Sequence, residues 1–227
     1  MSTRALLAGA FAVTAFLLAG CGGKPPPANW KMDAVSQLEY AQQRWLEGDG
    51  RAAEQALGKA RADIARSGRV DLLARAELAA CAVRVASLDF SPCDGYERLA
   101  ADAAAEDRAY VRFLAGDWNG LDARLLPAHY ATLMGAKEDA AARRAVAEIQ
   151  APLPRLVAAA LLFKTSRADP ATLALAVDTA SERGWRRPLL AWLEVSLRRA
   201  QASADTDAAA RIQRRIDLVL AGNAVRP

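Results

Sequence analysis

Few residues of this chain could do covalent or metal chemistry: Cys21, Cys81, Cys93 and a single histidine, His129. Cys21 ends an uncharged run, Ala5 to Gly20, and is followed at once by two glycines, a lysine and Pro25 to Pro27. Cys81 lies in a helical stretch, and Cys93 lies just past the break Asp89-Phe90-Ser91-Pro92. A helix rises about 1.5 Å per residue, so a chain that leaves the helix near Leu88 can bring Cys93 back beside Cys81. In an oxidising compartment the two would then bridge and staple the helix to the following turn. Otherwise they pack as two small buried residues. No histidine or second cysteine pair accompanies them, which argues against a metal site. His129 has neither a Gly-x-Ser-x-Gly elbow for a hydrolytic triad nor companion zinc ligands, and is expected at a helix junction or on the surface. Glu39, Glu47, Glu77, Glu97, Glu138, Glu148, Glu182 and Glu194 fall at ordinary helix-surface or capping spacings. The sequence thus points away from an enzyme, a resident metal or a small-molecule cofactor.

The elements around these residues begin with an address. One positive side chain, Arg4, precedes the apolar run, which is too short for a spanning helix of about 20 residues. A charged start, a short apolar centre and small residues at its end describe a secretory signal. Leu18-Ala19-Gly20-Cys21 resembles the lipobox of bacterial lipoproteins. The resemblance implies cleavage before Cys21, a diacylglycerol on its sulfur and an N-acyl chain on its new amine. Each buried methylene contributes about 0.8 kcal/mol, and two or more chains anchor stably where one does not. Gly22 rather than Asp after the cysteine implies, by analogy with enteric lipoproteins, the periplasm-facing outer membrane. The glycines and prolines after it read as a semi-rigid tether. Residues 1–20 are therefore assigned to the signal, 21–30 to the lipidated tether, 31–222 to the body and 223–227 to a tail.

The body is rich in alanine, leucine, arginine and glutamate, all strong helix formers, and shows no sustained β-branched alternation. Glycine and proline punctuate it regularly. The punctuation predicts an all-α protein of ten or eleven helices joined by short links. Ser91-Pro92 is expected to open a helix, Ala151-Pro154 to break one and Asp169-Pro170 to start another.

Ala41 to Ala60 resembles a tetratricopeptide repeat. Gly48-Asp49 stands at the turn, with Ala53, Leu57 and Ala60 at the small, bulky and small positions of the second helix. Small residues let two helices approach, and the bulky one wedges into the next hairpin. Phe113 to Ala128 repeats the pattern more weakly, and Gly48, Gly116 and Gly184 recur at twice the 34-residue period of that family. The resemblance implies an α-α superhelix of stacked hairpins with a groove lined by first helices. Tyr40, Gln43, Arg44 and Tyr110 are the groove candidates it suggests.

The net charge of +4 is small, and arginine outnumbers lysine. The doublets Arg143-Arg144, Arg186-Arg187, Arg198-Arg199 and Arg214-Arg215 read either as solvated helix faces or as contacts to anionic cell-wall polymers or lipid. An exported, lipid-held body has no access to nucleic acid. The expected function is a membrane-tethered scaffold for an envelope protein or peptide, as in envelope, secretion or pilus assembly. A peptidoglycan-binding role is the alternative.

Overall fold

Alanine recurs along Asn29–Leu46 (α1) and Gly50–Ala65 (α2), and it determines how they pack. In this computed structural model, which describes residues 29–224, Ala34, Ala41, Ala53, Ala56 and Ala60 are all buried. They bring the two helices into the most extensive pairing in the molecule. Asp49 caps α2 by accepting from the Ala52 amide at 3.0 Å. Leu57 is buried at the bulky repeat position.

Nine more α-helices follow among the described residues: Val70–Ala86 (α3), Asp94–Glu97 (α4), Ala105–Ala115 (α5), Ala131–Gly135 (α6), Asp139–Glu148 (α7), Pro152–Lys164 (α8), Pro170–Glu182 (α9), Arg186–Ala202 (α10) and Thr206–Ala224 (α11). Three 3₁₀ turns, Ala100–Asp102, Ala123–Leu125 and Ala128–Tyr130, interrupt the middle. The described residues contain no strand. The body is an all-α superhelix of helical hairpins, extending two residues beyond the expected 31–222 at each end.

The superhelix winds tightly. Helix α8 is apolar all round, with Leu156 to Leu162 buried without a gap, and it packs against α3, α5, α7 and α9. A helix buried on every side belongs at the centre of its domain. The winding brings α10 back to the start: the Trp192 Nε1 donates to the Ala86 carbonyl at 3.3 Å. Helices α9, α10 and α11 form consecutive antiparallel pairs, and Leu189 and Leu193 of α10 are buried.

The three glycines spaced by 68 residues share a backbone role. Gly48, Gly116 and Gly184 all adopt positive φ, and the next residue's amide donates to the carbonyl five residues back: Asp49 to Arg44, Asp117 to Arg112 and Trp185 to Ala180. This left-handed helix ending favours glycine. The three endings lead into different structure. After Gly48 and Gly184 a long helix begins. After Gly116 the chain enters 3₁₀ turns, so Phe113 to Ala128 is not a hairpin. Asp122 accepts from the Arg124 amide, and Pro127 precludes continuation.

Two other local expectations are corrected. Ser91 does not cap a helix: its amide and hydroxyl both donate to Asp89, and Cys93 occupies the N-cap of α4. The break expected at Ala151–Pro154 is present but ends earlier: α7 stops at Glu148 and α8 begins at Pro152, so Pro152 and Pro154 lie in the first turn of α8, where their missing amides would have no intrahelical partner. Asp169 does start α9, accepting from the Thr172 amide at 2.8 Å. Cys81 and Cys93 are joined by a disulfide, with Cα atoms 5.8 Å apart.

Candidate binding site

Two hollows open on one side of α3. The first, about 190 Å³, lies among α1, α2 and α3. Val35, Leu38, Gln42 and Trp45 fall three or four residues apart and so share one face of α1. Leu57, Ala80 and Val83 supply further apolar wall, and Glu39, Glu54 and Arg84 stand among the lining polar groups.

Trp45 closes one end and is held from behind. The Arg187 guanidinium lies 4.1 Å from its ring centroid. Arg187 Nε donates to the Trp45 carbonyl at 2.9 Å, and Nη2 to the Gly48 carbonyl at 3.3 Å. A cation at the C-terminus of α1 also suits the helix dipole. Burial pulls the Arg187 pKa below its ordinary value, opposed by the charge of Asp89. This arginine is neither a solvated face nor a free anion contact; it fastens α10 to α1.

The second hollow, about 560 Å³, lies among α3, α5, the 123–130 turns and α8. Tyr110, Tyr130, Leu153, Pro154 and Val157 give it apolar walls. The tyrosines belong to an aromatic stack: Tyr110 to Tyr130 at 6.2 Å, Tyr130 to Phe113 at 4.5 Å and Phe113 to Trp118 at 5.5 Å. Burial pushes the Tyr110 hydroxyl up to about 12, and pushes Tyr130 well above its ordinary value. Arg75 makes a fork to Asp107, Nε to Oδ1 at 3.1 Å and Nη2 to Oδ2 at 3.3 Å. That contact raises the Arg75 pKa. Glu106, Arg124 and His129 also line this hollow. The His129 ring meets Tyr130 edge-on at 4.1 Å, and burial lowers its pKa.

Gln42 and Ala79 line both hollows, so the two adjoin. The lining offers apolar volume, tyrosine hydroxyls, an amide and charged groups, but no serine, threonine or cysteine. His129 is the one imidazole in that lining. Among the described residues, no group of three His, Cys, Asp or Glu side chains is placed to hold a metal ion, and no helix is long and apolar enough to cross a membrane.

Of the candidates read from sequence, Tyr110 lines the second hollow. Tyr40, Gln43 and Arg44 do not line either hollow. They form a cluster elsewhere on α1: the Arg44 guanidinium lies 5.8 Å from the Tyr40 ring centroid and 2.7 Å from Glu47, and Gln43 donates to Glu47 at 2.6 Å. The reason is the rotation of α1, whose alanine stripe faces α2 and so turns Val35, Leu38, Gln42 and Trp45 toward α3. That spacing was the sequence signal for the groove face. Cys81 and Cys93 line neither hollow, and Cys21 lies outside the described residues. Nothing in the sequence marked Arg187 as different from the other arginines.

No protein family, curated protein or solved structure matches the chain.

Proposed function

We propose that this chain is a lipid-anchored scaffold that holds a peptide segment of an envelope protein against its α1–α3 face. The observation that carries the reading is the adjoining pair of hollows: a small apolar one and a larger aromatic and charged one, continuous at Gln42 and Ala79. An extended segment can place one side chain in each while its backbone crosses the Gln42 amide, which offers both donor and acceptor. Stacked hairpins supply such surfaces without a catalytic centre. The lipobox supports placement at the periplasmic face of the outer membrane, where tethering raises the local concentration of both partners.

The test is in-cell photo-crosslinking from position 42 of the full chain. One dominant envelope protein, lost when Ala79→Trp fills the junction, is the expected result. Muropeptides in its place would favour the cell-wall alternative. The anchor is tested separately: Cys21→Ser should abolish partitioning into the detergent phase, and unchanged partitioning would refute lipidation.

A further inference from the structure

The structure assigns Arg187 a part in binding: it positions Trp45, so that the side of the indole turned away from Arg187 becomes the platform for a neutral apolar side chain of the bound segment. This rests on the peptide-binding reading and names the residue that shapes the first hollow and the chemistry the hollow selects.

Trp45 lacks the restraint that fixes two other tryptophans. Trp118 Nε1 donates to the Phe113 carbonyl at 3.0 Å, and Trp192 Nε1 to the Ala86 carbonyl at 3.3 Å. Trp45 Nε1 is buried without a hydrogen-bond partner. What holds this ring is Arg187, whose guanidinium lies 4.1 Å from the ring centroid and is itself fixed by the Trp45 and Gly48 carbonyls. The guanidinium is desolvated and meets carbonyls rather than a carboxylate. Burying a charge without pairing it is costly, so the fold alone gains little from an arginine here.

Gly50 is a second, independent observation. It opens α2 without a positive φ, so its backbone does not require glycine, and glycine is a poor helix former. A Cβ there would stand 3.2 Å from Arg187 Nη2. The glycine leaves room for the guanidinium that backs Trp45. Two helices, α2 and α10, are thus shaped around one ring in the wall of the hollow.

The occupant's chemistry follows from that wall. The hollow, at about 190 Å³, is smaller than the roughly 300–1,000 Å³ of small-molecule sites and suits one side chain. Leu38, Leu57 and Val83 line it with Trp45. Its charged lining residues are of both signs: Arg84, Glu39 and Glu54, the last paired with Arg61. A cationic anchor would meet Arg84, with Arg187 behind the ring. An anionic anchor would meet the glutamates. A neutral apolar side chain meets neither conflict, and an aromatic one also stacks on the indole.

The probe is benzyl alcohol, a neutral aromatic of side-chain size, titrated into the full chain labelled with fluorotryptophan and followed by fluorine NMR. The Trp45 resonance, identified by its loss in Trp45→Phe, is expected to move with the probe while those of Trp118 and Trp192 stay. In Arg187→Met it should broaden before any probe is added and cease to respond. Arg187→Lys, which restores the charge without the fork, should recover part of the response. Gly50→Ala is the gentler test, and it decides alone if Arg187→Met does not fold. It favours the helix, so the melting temperature should not fall, yet it crowds Arg187 and should weaken probe affinity about fivefold, the worth of one aromatic contact. An unchanged response in both Arg187→Met and Gly50→Ala would overturn the positioning role and leave the hollow standing. So would a loss in Gly50→Ala that only follows a lowered melting temperature. A wild-type Trp45 that ignores the probe would overturn both the role and the anchoring of a peptide there.

Discussion

The α1–α2 hairpin and the segment from Leu88 to Lys137 are held together by different means. In the hairpin, alanines bring two long helices into contact along their length, and the apolar side chains form two small clusters around Ala34 and Ala41, apart from the main core. In the middle segment all elements but α5, of 11 residues, are too short for that. Helix α4 has four residues and α6 five. Isolated helices of such length are not stable in water. They are positioned by discrete pins, the Cys81–Cys93 bridge, the Arg75–Asp107 fork and the aromatic stack, and α4 lies close over the Glu77 carboxylate. Distributed packing tolerates the loss of any one contact, whereas pinned structure does not. The two hollows lie where these regions meet, so one wall is set by packing and the other by pins.

The largest effect is expected from the disulfide. It joins residues 12 apart, a closure that restricts the unfolded chain by about 3 kcal/mol. A Cys81→Ala/Cys93→Ala variant should lose about that much stability in urea titration. Its amide exchange should accelerate first between residues 88 and 104, while α1 and α2 stay protected. A uniform acceleration, or a loss below about 1 kcal/mol, would erase the contrast between the two regions.

Next is Gly95. Its need is for space, not for an unusual φ: a Cβ there would come within van der Waals overlap of the Glu77 carboxylate. Glu77 is 9% exposed and takes two hydrogen bonds from Arg61, Nε at 2.6 Å and Nη2 at 3.0 Å. Gly95→Ala must displace that carboxylate from its arginine, an overpacking cost of about 2 kcal/mol. Adding Glu77→Ala should make the second alanine nearly free, so a double-mutant cycle gives a coupling of similar size. Additive losses would mean that Gly95 and Glu77 are not in contact.

The same contrast explains how much was legible in the sequence. Helix ends were readable at Gly48, Gly116 and Asp169, where glycine or aspartate marks them, but not at Pro92, which precedes α4 without opening it. The alanine spacing of the first hairpin disclosed its close packing. The pins were not legible. Glu77 and Gly95 are distant in sequence and meet only because the disulfide turn folds α4 onto α3. Arg187 reads like any other arginine until the superhelix returns it to Trp45, 142 residues away. The groove face of α1 was present as Val35, Leu38, Gln42 and Trp45, but choosing it over Tyr40, Gln43 and Arg44 required knowing where α2 and α3 lie. Three helix ends are left-handed without glycine, at Leu88, Ser166 and Ala204, and residue type alone does not announce them.

A smaller effect is expected in the hairpin. Gly48 has φ of +95°, a conformation that costs an ordinary residue about 1 kcal/mol or more. Its Cβ would meet only the tip of Arg186, at 3.4 Å, so the penalty is one of backbone and not of space. Gly48→Ala should lower stability in urea titration by about 1 kcal/mol, with no change in exchange between residues 88 and 137. A loss spreading into that segment would show that Arg187 couples the two regions more strongly than packing does.

The smallest effect is a pH dependence confined to the pinned side. His129 is the chain's one histidine. Burial against Tyr130 disfavours its charged form, so its folded-state pKa lies below the usual value of about 6.5. Below that value the unfolded chain takes up a proton that the folded chain resists. Stability is therefore fully present above about pH 6.5 and declines as the pH falls toward the lowered folded value. Carboxylates with lowered pKa, such as Asp89 and Asp169, lose their contribution only at more acid pH. Melting curves of the wild type and His129→Gln should thus run parallel above about pH 6.5 and converge or cross just below it, with the wild type falling faster. If the wild type instead gains stability on acidification, the ring is charged in the fold. A protonated imidazole would then line the second hollow.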